Sequence, residues 1–205
     1  MTNDTARIEA FSDGVFAVAI TLLVLDIKVP PVSPSGDPLV ILLVRQWPSY
    51  LAFATSFATI LIMWVNHHRI FTLIGRADDR LLFSNGFLLF AVTVIPFSTS
   101  LVAAYLGHSG QRTAAAVYNG TFILAAIFFN VLWATASARG RLLRDDADHD
   151  AVQGITSSFR RGVPFYTAAF ALAFASVTAS LALNLMLAIF FALPTKLAVK
   201  RAAKP

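Results

Sequence analysis

The chain has 205 residues, of which 57% are hydrophobic and 13% are charged, and its mean hydropathy is +0.70. Apolar stretches of roughly 20 residues, the length that spans a bilayer as a helix, recur along it. This composition excludes an ordinary soluble domain and predicts an all-α integral membrane protein. The lack of cysteine excludes disulfides, a thiolate nucleophile and a Cys-ligated metal.

Six membrane-spanning helices are predicted in chain order. They cover residues 10–28, 47–71, 82–105, 113–136, 162–182 and 184–198. The longest polar stretch, residues 139–161, is predicted to be a loop, and the boundary between the last two spans is predicted near residues 180–184. Residues 1–205 are therefore predicted to form a single six-helix transmembrane domain.

The positions of the cations explain the net charge of +5. If the N-terminus lies inside and the spans alternate, the outer segments hold only Lys28, Arg45 and Arg112, and the other 13 of the 16 Lys and Arg residues lie inside. Such a bias is typical of cytoplasmic loops. Both termini are therefore predicted to be cytoplasmic, and the basic pI indicates topology rather than binding to nucleic acid.

The polar residues Arg7, Ser12 and Asp13 lie at or just before the start of the first span. An ionised side chain at membrane depth costs about 2.5 to 3.5 kcal/mol, so it usually faces the protein interior and is paired. Asp13 lies about 140° around the helix from Val18, since each residue turns the helix by about 100°. It is therefore predicted to point toward the rest of its own subunit.

Further along this helix, Val18, Leu22 and Leu25 share one face, and Thr21 lies at its edge. This stripe is predicted to line a pore, although lipid contact and core packing produce the same pattern. The Thr21 hydroxyl could face a permeating ion. It could equally bond back to the carbonyl of Val18 or Ala17, as threonine often does in helices.

A second polar group, Trp64, Asn66 and His68, lies near the inner end of the second span, at the depth of Asp13. Trp64 and His68 share a face because they are four residues apart. Their donors suit a buried carboxylate, which predicts either a structural clasp between the first two spans or a proton sensor. Adjacent His67 and His68 point about 100° apart, so no stable metal site is predicted.

At these positions the chain resembles the prokaryotic branch of the transmembrane protein 175 family, potassium channels whose animal members reside in endosomes and lysosomes. The matching segments are Arg7-x-x-x-Phe11-Ser12-Asp13, Thr21, Trp64-x-Asn66-His67-His68, Asn85 and Ile95-Pro96-Phe97-Ser98-Thr99. The resemblance covers nearly the whole chain. The structural polar network is predicted at Arg7, Phe11, Ser12, Asp13, Trp64, Asn66 and His68.

The resemblance also implies a subunit of six helices that forms a homotetramer around four copies of the first helix, in the plasma membrane of a prokaryote. The family's pore-lining positions fall on Val18, Thr21, Leu22 and Leu25. Val18 departs from the usual Leu or Ile, and its shorter side chain is expected to make that ring less tight. The implied partners are potassium ions, the lipid bilayer and further copies of the chain, with no cofactor and no nucleic acid.

Three residue patterns bear on the alternatives. No Thr-Val-Gly-Tyr-Gly-like loop occurs, so selection is expected from side chains and to be modest. An intramembrane enzyme would need a nucleophile with a base or a metal triad, and the sequence contains no motif for either. A secondary transporter would show paired halves with interrupted helices, and Pro96 and Pro164 are not in corresponding positions. A proton-permeable channel remains an alternative.

Overall fold

A computed structural model describes residues 2–32 and 36–192, and the regular structure in these ranges is helical. A 3₁₀ turn follows α1 at Leu23–Asp26, and another follows α5 at Ala138–Gly140. The α-helices are α1 (Thr2–Leu22), α2 (Leu39–Arg45), α3 (Trp47–Leu73), α4 (Asp79–Tyr105), α5 (Gln111–Ser137), α6 (His149–Ala175) and α7 (Val177–Ala192).

Four helical segments are long and apolar enough to cross a membrane: Thr5–Asp26, Trp47–Leu73, Asp79–Tyr105 and Gln111–Gly140. They correspond to the first four predicted spans. Helix α1 begins before the predicted start because its polar N-terminal residues continue the helix beyond the apolar stretch. The apolar part of α7, Val177–Phe191, is shorter than these four.

The boundary between the fifth and sixth predicted spans is wrong. Helix α6 ends at Ala175, Ser176 is extended at φ −150° and ψ 111°, and α7 begins at Val177. The Ser176 hydroxyl accepts a hydrogen bond from the Ala179 amide at 3.3 Å, and this bond caps the N-terminus of α7. The two polar residues that suggested a later boundary, Ser180 and Asn184, are instead buried within α7. Residues 193–198 of the predicted sixth span lie outside the described residues.

The prediction of a loop over residues 139–161 is also wrong, because its second half is helical. Helix α6 begins at His149, and the Asp148 carboxylate accepts a hydrogen bond from the Asp150 amide at 3.1 Å. An aspartate in this position stabilises the free amides of a first helical turn. The polar first half of α6 therefore precedes the predicted fifth span, and the apolar second half lies within that span.

Helix α4 lies at the centre of the bundle, in contact with α1, α3 and α5. Its residues Leu81, Leu88, Val92 and Ile95 are fully buried. Helices α5, α6 and α7 pack in succession, and α7 also contacts α3. Helix α1 packs only one side against α3 and α4, which leaves its other side facing outward.

The loop between α5 and α6 is fastened to the loop between α3 and α4. Ile74 and Leu143 form an antiparallel bridge, and the Arg141 guanidinium donates to the Asp78 carboxylate at 2.7 Å. The Leu81 amide donates to the same carboxylate at 2.9 Å, so Asp78 caps α4. The Leu81 amide, and then Arg141, hold the pKa of Asp78 below its ordinary value.

Candidate functional site

One face of α1 forms a continuous exposed stripe in the single subunit. Val18 is 57% exposed, Leu22 43% and Leu25 61%. On the opposite side of the helix, Phe16 and Leu23 are fully buried against the rest of the bundle. Within the described residues, therefore, the subunit leaves the apolar stripe uncovered.

A change in helix type keeps the end of this stripe in line. Residues three apart in an α-helix differ by about 60° in direction, whereas in a 3₁₀ turn they are eclipsed. Because the chain becomes 3₁₀ at Leu23, Leu25 lies nearly above Leu22. The same turn directs Asp26 toward α4, where its carboxylate accepts a hydrogen bond from Ser100.

Toward the N-terminus, the stripe continues through Gly14, Phe11 and Arg7. Phe11 is 68% exposed, and Arg7 is also exposed. The sequence assigned both residues to the structural polar network, but the hydrogen bonds that form this network in the structure include neither of them. Phe11, Val18 and Leu25 recur every seven residues, and this spacing places them on one face of the helix.

The Thr21 hydroxyl bonds back along its own helix. Its Oγ1 donates to the Val18 carbonyl at 2.9 Å, which is one of the two arrangements that the sequence left open. The donated proton fixes the rotamer but leaves the oxygen lone pairs free to accept or to approach a cation. The side chain is exposed at the edge of the stripe.

Behind the stripe, a buried chain of hydrogen bonds joins α1, α4 and α3. Asn85 Nδ2 donates to Ser12 Oγ at 2.9 Å, and Ser12 Oγ donates to the Ile8 carbonyl at 2.8 Å. His67 Nε2 lies 2.9 Å from Asn85 Oδ1, and Asn85 Oδ1 can only accept, so the proton is assigned to Nε2. Ser12 and His67 are fully buried. The chain thus ties three helices together at one depth.

Two further contacts join α1 to α3 nearer the surface. Trp64 Nε1 donates to Asp13 Oδ1 at 2.8 Å, and His68 Nδ1 lies 2.6 Å from Glu9 Oε1. The Trp64 and His68 rings stack with centroids 6.3 Å apart. Asp13 and His68 therefore share a network through Trp64, but each has its own partner.

Asn66 lies apart from this network. Its Oδ1 accepts a hydrogen bond from Arg69 at 3.3 Å, and its side chain lines a cavity among α3, α5, α6 and α7. Asn66 and His67 point about 100° apart around the axis of α3, so Asn66 faces away from the network that His67 joins. The hydrogen bonds that join α1 to α3 and α4 are here called the clasp, and they are formed by Glu9, Ser12, Asp13, Trp64, His67, His68 and Asn85. Three of these residues, Glu9, His67 and Asn85, were omitted from the sequence-based assignment.

Sequence signals for these three were present but weak. Glu9 lies four residues before Asp13 and shares its face, His67 adjoins His68, and Asn85 belongs to the matching segments. Neighbouring residues on a helix point in different directions, so the choice between His67 and His68 depends on where the partner helix lies. Among the described residues, no group of three or more His, Asp or Glu side chains is placed to hold a metal ion.

Sequence comparisons identify the family of this chain. The family model described as endosomal/lysosomal potassium channel TMEM175 matches residues 7–96, which contain the stripe and both sides of the clasp. A potassium channel of Chamaesiphon minutus is 55% identical over 174 residues, which are 83% of this chain and 85% of that protein. The chain belongs to the TMEM175 family. It is therefore a multi-pass membrane protein of an ion channel family, a kind of protein that is not enzymatic.

Other TMEM175 proteins are more distant. A potassium channel of Streptomyces collinus is 42% identical over 172 residues, 83% of each chain. The human protein, named endosomal/lysosomal proton channel TMEM175, is 33% identical over 138 residues, which are 63% of this chain and 27% of its own length.

Solved structures share the fold. The crystal structure of a lysosomal potassium-selective channel TMEM175 homolog from Chamaesiphon minutus matches with a TM-score of 0.84 and 52% identity, over 93% of this chain and 97% of that one. A variant of the potassium channel MtTMEM175 in complex with a nanobody fusion matches with a TM-score of 0.63 and 19% identity, over 96% and 92% of the two chains. This second similarity concerns the fold alone.

Proposed function

We propose that the protein is a potassium-selective cation channel whose pore is lined by the exposed stripe of α1. The observation that carries this proposal is the sharp difference between the two sides of α1. One side is buried against α3 and α4, while Val18, Leu22 and Leu25 are exposed. Several copies of α1 facing a common axis would cover these side chains and enclose a narrow path. The similar proteins of Chamaesiphon minutus and Streptomyces collinus are named potassium channels, which supports the choice of ion.

In the proposed pore, the apolar rings act as the constriction. Leu22 and Leu25 cannot coordinate an ion, but rings of such side chains narrow a pore until water leaves it. Sodium holds its hydration shell more tightly than potassium, so partial dehydration penalises sodium more. Thr21 supplies an oxygen between the Val18 and Leu22 levels. Selection by these means is modest, and permeation is passive.

The assembly is proposed to be a homotetramer in the plasma membrane of a prokaryote. Each subunit crosses the membrane six times, with α6 and α7 forming the last two crossings and both termini inside. This topology is supported by the positive-inside bias, because it puts 13 of the 16 Lys and Arg residues on the inner side. Arg45, in α2, would lie outside together with Lys28 and Arg112.

Reconstitution into planar bilayers tests the proposal. The wild-type protein should carry potassium current down its gradient without a coupled ion, and a requirement for a second ion would favour the alternative of a secondary transporter. Leu25→Ala and Leu22→Ala should raise conductance or lower the preference for potassium over sodium, because each widens the constriction. Leu23→Ala, whose side chain is buried on the opposite side, is the matched control. Unchanged currents in both single variants and in the double variant would remove this face from the pore.

A second candidate function is proton permeation. The name of the animal relatives, endosomal/lysosomal proton channel, favours it. Vesicles that contain a pH-sensitive dye and have a proton gradient but no potassium measure it directly. Acidification that depends on the protein and changes in Leu25→Ala would show that protons share the same path.

A further inference from the structure

A small cavity lies among α3, α5, α6 and α7, away from the α1 stripe. Its volume is about 50 Å³, and its wall is mainly apolar. Representative lining residues are Asn66, Asn130, Ser158, Phe159, Gly162 and Phe191. The lining residues lie near the middle of α3, α5 and α6 and in the last turns of α7, which places the cavity in the half of the bundle nearer the cation-rich ends of these helices.

Two arginines stand beside this cavity. The Arg69 guanidinium donates to Asn66 Oδ1, a lining residue, at 3.3 Å. Arg161 Nε donates to the Ser157 carbonyl at 3.1 Å, and its guanidinium carbon lies 5.7 Å from the centre of the Phe190 ring. Both arginines are exposed, and neither forms an ion pair with a carboxylate among the described residues.

Each guanidinium therefore has donors to spare. Arginine has five N–H donors in a planar fork, which suits the oxygens of a phosphate. The surface beside Arg161 is apolar, since Phe190 is 44% exposed and Phe165 38% exposed. A ligand for this place must combine a negative head with an apolar tail.

We propose that the cavity and its two arginines form a binding site for an anionic phospholipid. The spare guanidinium donors of Arg69 and Arg161 hold the phosphate, and the end of one acyl chain enters the cavity beside Phe191. Basic pockets between transmembrane helices bind anionic head groups in this manner. The charge at this end of the molecule and the apolar lining both match such a lipid, whereas a free phosphate would leave the apolar wall empty. The lipid would connect α3, which carries the polar clasp, with the α6–α7 pair.

Native mass spectrometry of the purified full-length protein tests the head-group part of the site. Phosphatidylglycerol and phosphatidylcholine with the same acyl chains are titrated separately, and soluble glycerol phosphate is titrated as a third probe. Wild type should bind phosphatidylglycerol more tightly than phosphatidylcholine. Arg161→Gln should weaken phosphatidylglycerol binding by about fivefold, the effect of one basic residue near an anionic surface. Arg112→Gln, an exposed arginine at the other end of the bundle, should leave it unchanged.

A second pair of variants tests the cavity. Ser158→Leu fills it, and Ser157→Leu places the same side chain on the exposed neighbouring position as a control. Gly162→Ala is a milder filling variant, because its added Cβ would lie 3.6 Å from the Ala126 Cβ, an ordinary contact. Both filling variants should weaken binding of either phospholipid.

Three outcomes would overturn the proposal. The first is equal binding of the two phospholipids by wild type, and the second is equal binding of glycerol phosphate and phosphatidylglycerol. The third is full phosphatidylglycerol binding in both filling variants, which would describe a surface head-group contact instead of a chain in the cavity. None of these results depends on whether the protein conducts ions, so failure here is distinct from failure of the proposed channel function.

Discussion

At the residue scale, the Thr21 hydroxyl has a structural hydrogen bond and also a proposed role in ion selection. Its hydroxyl proton is committed to the Val18 carbonyl, so the oxygen presents its lone pairs in a fixed direction. A fixed acceptor at the edge of an apolar stripe is the one polar side-chain atom between Val18 and Leu22. Its role in selection depends on that oxygen rather than on the shape of the side chain.

Replacing Thr21 by Val tests this role. Thr21→Val keeps the branched shape and removes the oxygen, so the potassium preference over sodium should fall by up to about fivefold, the effect of one polar contact worth about 1 kcal/mol. Thr21→Ser should largely keep it. Bi-ionic reversal potentials measure the change, and size exclusion confirms that the oligomer is intact. An unshifted potential in Thr21→Val would leave selection to the apolar rings.

Residue identities in the clasp were only partly predictable. The sequence placed Ser12, Asp13 and Trp64 at one depth, and the structure joins Asp13 to Trp64. It could not choose between His67 and His68, because adjacent residues on a helix diverge by about 100° and the position of α4 decides which one is buried. Phe11 was misassigned because it belongs to the same sequence segment as Ser12 while pointing to the other side.

At the scale of helices, the clasp fixes the angle at which α1 packs against α3. It combines a buried chain through Asn85 with two contacts nearer the surface, Asp13 to Trp64 and Glu9 to His68. Hydrogen bonds to charged groups are worth more than neutral ones, and removing one partner leaves the other unsatisfied. The angle of α1, and with it the direction of the exposed stripe, therefore depends on these contacts.

A double-mutant cycle measures which contacts act together. Asp13→Ala and Trp64→Phe should each lower the thermal stability of the detergent-solubilised oligomer by the equivalent of about 1.5 to 3 kcal/mol. Their combination should cost less than the sum, by about 1 kcal/mol or more, since one interaction is deleted twice. Asp13→Ala combined with His68→Ala should show a smaller coupling, because only Trp64 links the two. Additive losses for Asp13 and Trp64 would mean that the observed hydrogen bond contributes no stability.

Helix existence was more predictable than helix ends. Apolar stretches of sufficient length gave the first four spans, because membrane insertion depends on summed hydropathy. The break at Ser176 was missed because a single capping serine between two apolar helices leaves the hydropathy profile almost unchanged. The 3₁₀ turn at Leu23–Asp26 was missed because no local sequence signal marks it; in the structure the turn packs against α3 and α4, and Asp26 accepts a hydrogen bond from Ser100 of α4.

At the scale of the whole molecule, the isolated subunit has apolar surfaces that need a cover. One is the α1 stripe. Another is a face of α4 on which Phe83, Phe87, Phe90 and Phe97 are all more than half exposed. Faces of this kind in a membrane protein contact lipid or a neighbouring subunit. Of these two surfaces, the α1 stripe is proposed to face a path for ions and not lipid.

A thiol at Leu25 tests this claim most directly. Because the natural chain has no cysteine, a single introduced cysteine reports on its own position. In planar bilayers, a water-soluble cationic thiol reagent should suppress the potassium current of Leu25→Cys, and a reducing agent should restore it. Leu23→Cys, buried on the opposite side of α1, should be insensitive. A potassium current that is unchanged in Leu25→Cys while mass spectrometry shows the reagent attached to that cysteine would contradict the account.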